Sequence, residues 1–151
     1  MADRHPFWEA AEGRVELPAC SRTLGWTLLE AKPGGGQAIV QFEARPEFAN
    51  PLGHIQGGFL AAMLDDTIGP AIATILEPNQ FAPTLEIKVS FLRPGKVGTL
   101  IGRGRVVHAG RSIAFAEGEL VDTNDETIAR ASCTARIVSV SWDEPSSGDK
   151  T

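Results

Sequence analysis

Apolar residues recur along this chain with two different periods. From Gly57 to about Leu76, the residues Leu60, Leu64, Ile68, Ala71, Ile72 and Ile75 return every three or four positions, the spacing of one helix face. Pro70 falls inside this segment, where a missing N–H and a ring clash predict a kink near Asp66 to Pro70 or an early end. Elsewhere the period is two. Leu85, Ile87, Val89 and Phe91 alternate with Thr84, Glu86, Lys88 and Ser90, which predicts a strand with one face on a core, stopped by Pro94-Gly95. Leu24 to Ala31 and Gln37 to Glu43 flank Pro33-Gly34-Gly35-Gly36 and read as a hairpin, with Ala38, Val40 and Phe42 on one face. Val97 to Val107, Ser112 to Val121 and Thr127 to Val138 read as three further strands, joined by turns at His108 to Arg111 and Asp122 to Asp125. In the last strand Ala129, Ala131, Cys133, Ala135 and Ile137 make a face of small residues suited to lie close against a helix.

With a short helix over Pro6 to Glu12, the order is β-β-α-β-β-β-β, an α+β chain. Its economical architecture is a curved antiparallel sheet of about six strands wrapped around one long helix. Glu117 and Glu119 alternate with Ala116, Gly118 and Leu120, so the outer sheet surface is mixed and edge-to-edge dimerisation is open to it. Residues 1–143 read as one domain, with 1–23 as an N-terminal helical extension. Residues 144–151, rich in Ser, Gly and charge, read as a disordered tail.

Composition narrows the function classes. The 151 residues are 42% hydrophobic and 22% charged, which fits a globular protein and excludes collagen-like or disordered chains. A net charge of −5 argues against a non-specific nucleic-acid binder, although a local basic pocket is compatible with it. Met1 to Ala11 carries Asp3, Arg4 and Glu9 with no apolar stretch, and no run approaches membrane-spanning length, so a cytoplasmic protein without a membrane anchor is expected. Cys20 and Cys133 have neither metal-ligand nor redox spacing and read as free thiols. Neither a metal nor a bound cofactor is expected.

The densest chemistry lies between Asn50 and Asp65. Asn50-Pro51-Leu52-Gly53-His54-Ile55-Gln56-Gly57-Gly58 feeds directly into the helix. Two glycines there either turn a chain corner or let the free N–H groups of the helix start approach an oxyanion or phosphate. Asp65, a little over two turns further on, shares a face with Gly58, Ala61, Gly69 and Ile72. On such a face a carboxylate is poorly solvated and sharpened as a base or nucleophile; the alternative is a solvent-facing or kink-capping residue. Asp66 points about 100° away and reads as solvated.

Together, Asn50-x-x-Gly53, Gly57-Gly58, Leu64-Asp65-x-x-x-Gly69, Phe91-Leu92-Arg93-Pro94 and Gly110-Arg111 resemble the hotdog-fold, PaaI-like acyl-CoA thioesterases over Leu24 to Val138. The resemblance implies a homodimer or homotetramer with acyl-CoA as substrate and active sites at the subunit interface. It assigns the oxyanion hole to the Gly57 N–H, with help from Gly58. Asp65, reaching the site from the partner subunit, becomes nucleophile or general base, Asn50 positions water or thioester, and Thr84 holds the Asp65 carboxylate or the water. Arg93 and Arg111 take the phosphates of CoA, with Arg103 and Arg105 as further candidates or a solvated strand face.

The sequence departs from the family at Gln56, which stands where a His usually precedes the two glycines. Gln56 can donate a hydrogen bond but cannot supply a proton or a charge. His54 is a loop histidine that either substitutes for it or titrates at the surface. Three function classes follow: a thioesterase for medium-chain or aryl acyl-CoA, a non-catalytic acyl-CoA sensor, and a hotdog dehydratase, which needs a His–acid pair. Phe48, Phe59, Met63, Phe81 and Leu85 are candidates for pocket walls or plain core.

Overall fold

The computed structural model describes residues 4–143; the tail expected over 144–151 lies outside them. The N-terminal extension holds two short helices, α1 (Pro6–Ala11) and α2 (Ala19–Thr23). Strands β1 (Thr27–Ala31) and β2 (Gln37–Ala44) form the expected hairpin, and a 3-10 turn at Pro46–Phe48 leads towards the long helix α3 (Gly57–Ala73). After it come β3 (Gln80–Phe81), β4 (Thr84–Phe91), β5 (Gly98–Ala109), β6 (Ile113–Val121), β7 (Thr127–Arg136) and β8 (Val138–Ser139). Six strands make one antiparallel sheet in the order β1-β2-β5-β6-β7-β4. The two-residue strands β3 and β8 pair with each other. They and α2 are too short to carry a readable period, which is why the sequence pattern does not reveal them.

The helix passes through Pro70 rather than stopping at it. Proline has no N–H for the carbonyl four residues back, which is that of Asp66. The Trp26 indole N–H donates to that carbonyl at 3.0 Å, so a tertiary donor replaces the lost helical one. The helix ends at Ala73, earlier than Leu76, because the glycine turn of the hairpin caps it. Gly34 N–H donates to Thr74 O at 2.6 Å and Gly36 N–H to Thr74 Oγ1 at 2.8 Å, with both glycines at positive φ.

Leu60, Leu64, Ile68, Ala71 and Ile72 are buried as their spacing predicts, against Val40, Phe42, Leu100, Leu120 and the small face Ala129, Ala131, Cys133 and Ala135 of β7. The sheet meets the helix through glycines. A Cβ on Gly104 would lie 2.5 Å from Thr67 O and one on Gly118 2.9 Å from Ile68 Cγ1, while one on Gly102 would overlap the Thr67 hydroxyl. The β4 pattern needs correction. β4 is an edge strand with an irregular register between Thr84 and Glu86, so Leu85 and Phe91 are exposed and only Ile87 and Val89 are half-buried.

Gly104→Ala should therefore destabilise the fold by about 1–3 kcal/mol, because the atom it strikes is helix backbone that cannot rotate away. Thermal or urea unfolding measures it, and an unchanged midpoint would mean that α3 stands off the sheet further than described.

Candidate functional site

The loop before α3 is held by Asn50. Its Oδ1 accepts from the N–H groups of Leu52 at 3.0 Å and His54 at 3.1 Å, while its own N–H donates to His54 O at 2.7 Å. Ile55 N–H reaches Gly95 O at 2.8 Å and Gln56 N–H reaches Phe48 O at 2.8 Å, so the loop is fixed on both sides. Asn50 thus spends its carbonyl oxygen on the chain, and its amide NH2 is the part left to act outward. Gln56 is the helix N-cap, extended and exposed, with no hydrogen bond from its side chain to the cap.

The amides of Phe59 and Leu60 return to Gln56 O, which leaves those of Gly57 and Gly58 at the open end of the helix, where the dipole favours negative charge. The Phe91 ring lies against Gly57, 3.1 Å from where a Cβ would stand, whereas Gly58 faces open space. Sequence reasoning did not single out Phe91 for this end of the helix, since the contact joins the end of β4 to the start of α3.

Further along, Thr84 Oγ1 donates to Asp65 Oδ1 at 2.9 Å. Behind it, buried Cys133 on β7 donates from Sγ to Thr84 Oγ1 at 3.9 Å, and burial pushes its thiol pKa up. The two adjacent aspartates exchange the environments expected of them. Asp65 is exposed in the single chain, on a face with Gly58, Ala62 and Gly69. Asp66, expected to be solvated, turns inward under α2. Ser21 Oγ donates to its Oδ1 at 3.2 Å, and among the described residues its buried Oδ2 has no partner. Burial pushes the Asp66 carboxyl up to about 6 against the opposing Ser21 bond, and the Asp65 charge adds to the rise. The cause of the exchange is the N-terminal extension, which covers one side of α3 and leaves the other bare.

Gly57 and Asp65 do not meet within one chain. Eight residues at 1.5 Å rise separate them by about 12 Å along the helix. The arginines also divide. Arg93 donates to Thr127 O at 2.8 Å and pairs with Glu126 at 3.2 Å beside the start of β7, while exposed Arg111 occupies the β5–β6 turn at the opposite end of the sheet. Arg103 pairs with Asp125 at 2.6 Å and Glu119 at 3.5 Å, and Arg105 with Glu117, as a charged outer strand face. Of the candidate wall residues, Phe48 and Met63 are core, Phe59 stacks on Phe48 with ring centroids 4.3 Å apart, and Phe81 and Leu85 are exposed. His54 is half-buried in the loop. Among the described residues no group of three His, Cys, Asp or Glu side chains could hold a metal, and no helix is long and apolar enough to cross a membrane.

Comparison with known proteins adds four findings to this geometry. The family model of the thioesterase superfamily matches residues 52–129, from the Asn50 loop to the start of β7. A phenylacetic acid degradation-related protein of Ralstonia eutropha JMP134 superposes with a TM-score of 0.82 at 34% identity, over 86% of this chain and 98% of its own. The 1,4-dihydroxy-2-naphthoyl-CoA hydrolase of Listeria monocytogenes is 24% identical over 102 residues, 68% of this chain and 83% of its own length. A Streptococcus mutans protein bound to acetyl-CoA is similar at 26% identity with a TM-score of 0.68, over 76% of this chain and 90% of its own.

The buried Asp66 sets a dependence of stability on pH. Its folded pKa of about 6 lies above its ordinary value of 3.8, so its contribution is complete below pH 4 and is lost as pH rises through 6. Wild-type unfolding free energy should lose about 2–3 kcal/mol to this group between pH 4 and pH 8, and Asp66→Asn should flatten that slope. Urea titrations across the range test it; an Asn variant with the wild-type slope would clear Asp66 of the effect.

Proposed function

The chain belongs to the thioesterase superfamily, and from that premise we propose that it hydrolyses a medium-chain or aryl acyl-CoA to the free acid and CoA, in a site shared between two copies of the chain. The observation that carries this reading is the pair of half-sites on α3. One end offers the uncommitted amides of Gly57 and Gly58; two turns on, the bare face offers Asp65 held by Thr84. A thioester carbonyl needs its oxygen and its carbon served within about 3 Å of one another, which a 12 Å separation forbids in a single chain. Two antiparallel copies supply Gly57 from one protomer and Asp65 from the other. β4 is the natural seam: an unpaired edge that exposes Leu85 and Phe91, with Leu92 just beyond it. The same pairing gives Asp65 the desolvated surroundings it lacks in one chain.

In this site the thioester oxygen accepts from the Gly57 N–H, with Gly58 assisting. Asp65 either takes a proton from water as that water attacks the carbonyl carbon, or attacks it directly and is freed by water in a second step. In the first route the oxyanion collapses to a carboxylic acid as the carbon–sulfur bond breaks, and Asp65 passes its proton to the departing CoA thiolate. In the second it collapses to an anhydride between Asp65 and the acyl group as the thiolate leaves, and water adding to that anhydride releases the acid and restores the Asp65 carboxylate. Asn50 places the thioester or water through its amide NH2, and Thr84 fixes the Asp65 rotamer. Gln56 adds a hydrogen bond from the helix mouth and no proton. Arg93 and Arg111, at opposite ends of one sheet, serve the CoA phosphates from different protomers or in different steps, and Arg93 gives up its Glu126 partner to do so. An aryl acyl group accords with the naphthoyl-CoA hydrolase and the phenylacetic acid degradation-related protein among the relatives. Gln56 favours one second reading, an acyl-CoA sensor that binds without turnover.

Thiol release from a panel of short, medium, long and aryl acyl-CoAs tests the proposal. Hydrolysis should occur for at least one class, and Asp65→Asn should lower kcat about 10²–10⁴-fold, the range of general-base catalysis. Gly57→Pro removes the N–H at the first helical position, where proline is tolerated, and should cost about 10²–10³-fold in kcat beyond Gly57→Ala, which keeps the N–H and adds the same contact with Phe91. Full turnover in Asp65→Asn would remove this mechanism; binding without hydrolysis by the wild type would establish the sensor.

A further inference from the structure

Cys133 is the one buried thiol among the described residues, and the proposed reaction does not use it. It sits mid-strand on β7, opposite Ile87 of β4 and Ala116 of β6, so its flanks are apolar. Its Sγ has one polar neighbour here, the Thr84 hydroxyl at 3.9 Å, and that hydroxyl in turn donates to Asp65 Oδ1 at 2.9 Å. Three residues from β7, β4 and α3 thus form one directed chain, from thiol to hydroxyl to carboxylate.

Resting on the thioesterase reading, we propose that Cys133 is a positioning residue for the reaction: its S–H donates to the Thr84 oxygen and so commits the Thr84 proton to Asp65. A threonine hydroxyl has one proton and can point it at any acceptor in reach. With the thiol proton on one of its lone pairs, Thr84 cannot turn its own proton towards Cys133, and a hydrogen-bond chain strengthens each member by polarisation. Burial raises the thiol pKa and keeps Cys133 a donor. The titratable groups near Asp65 are Asp66, its neighbour on α3, and Cys133 itself; Glu86 and Lys88 of β4 lie on the opposite face of that strand. A change at Cys133 therefore reaches Asp65 through Thr84 and leaves the ionisable surroundings as they were.

Cys133→Ala removes the donor and Cys133→Ser restores a hydroxyl donor in the same place. Losing one neutral hydrogen bond should lower kcat by roughly two- to fivefold in the Ala variant, with KM unchanged. The acid limb of its pH profile should move up, because the carboxylate loses an oriented donor, and the Ser variant should return both towards wild type. Carbon-13 titration of the Asp65 carboxyl in the same proteins reads the shift without turnover. An Ala variant with wild-type kcat and an unmoved Asp65 titration overturns the proposal, as does a Ser variant that behaves like Ala. Retained hydrolysis in Asp65→Asn would instead defeat the reaction assigned to the site, and the titration would still judge the hydrogen-bond chain.

Discussion

Helix α3 lies so close to β5 and β6 that three sheet positions facing it, Gly102, Gly104 and Gly118, leave no room for a side chain. This contact requires the sheet to curve around the helix, and it fixes the helix in rotation as well as in distance. Thr67 and Ile68 are pressed into the glycine track, with the Thr67 hydroxyl turned back to Met63 O at 2.7 Å. A helix seated this tightly has no freedom to roll, so each residue on its remaining faces acquires a definite neighbourhood. The packing of the core and the placing of the functional groups are one constraint.

The roles of Asp65 and Asp66 follow from that rotation. One carboxylate is turned under the N-terminal extension, beside Ser21, and carries an energetic cost; the other is turned to the bare face, where Thr84 meets it. The bare face is small-residued and ends at an edge strand with one side unpaired, which is how a protomer built to meet a copy of itself would be finished. On the proposed reading, Gly57 and Asp65 belong to different half-sites because a rigid helix holds them apart, and a second chain is invoked across that distance.

Much of this was legible from periodicity. Leu60 to Ile72 at helical spacing identified α3 and its buried face, and the alternation of Ala129 to Ala135 marked the strand that lies against it. What the pattern could not supply was tertiary compensation. Pro70 reads as a break because its cost is local, whereas its remedy, the Trp26 indole, comes from a distant segment. The β4 alternation predicted a buried face, but burial depends on which strands flank it, and β4 has a neighbour on one side alone. The same limit reversed the two aspartates: 100° of helix rotation separates them correctly, but only the position of α2 says which one is covered. Cys133 was legible as inward-facing and silent as chemistry, since its hydrogen bond to Thr84 is a matter of cross-strand neighbours.

The central claim is that a working site takes its oxyanion donor and its carboxylate from different chains. Mixing Gly57→Pro with Asp65→Asn under conditions that let subunits exchange tests it directly. Random exchange makes half of the dimers mixed, each with one intact site of two, so activity should recover to about a quarter of wild type although both parents are inactive. No recovery, with mixed dimers demonstrated by mass, would place both groups in the same chain and contradict the account.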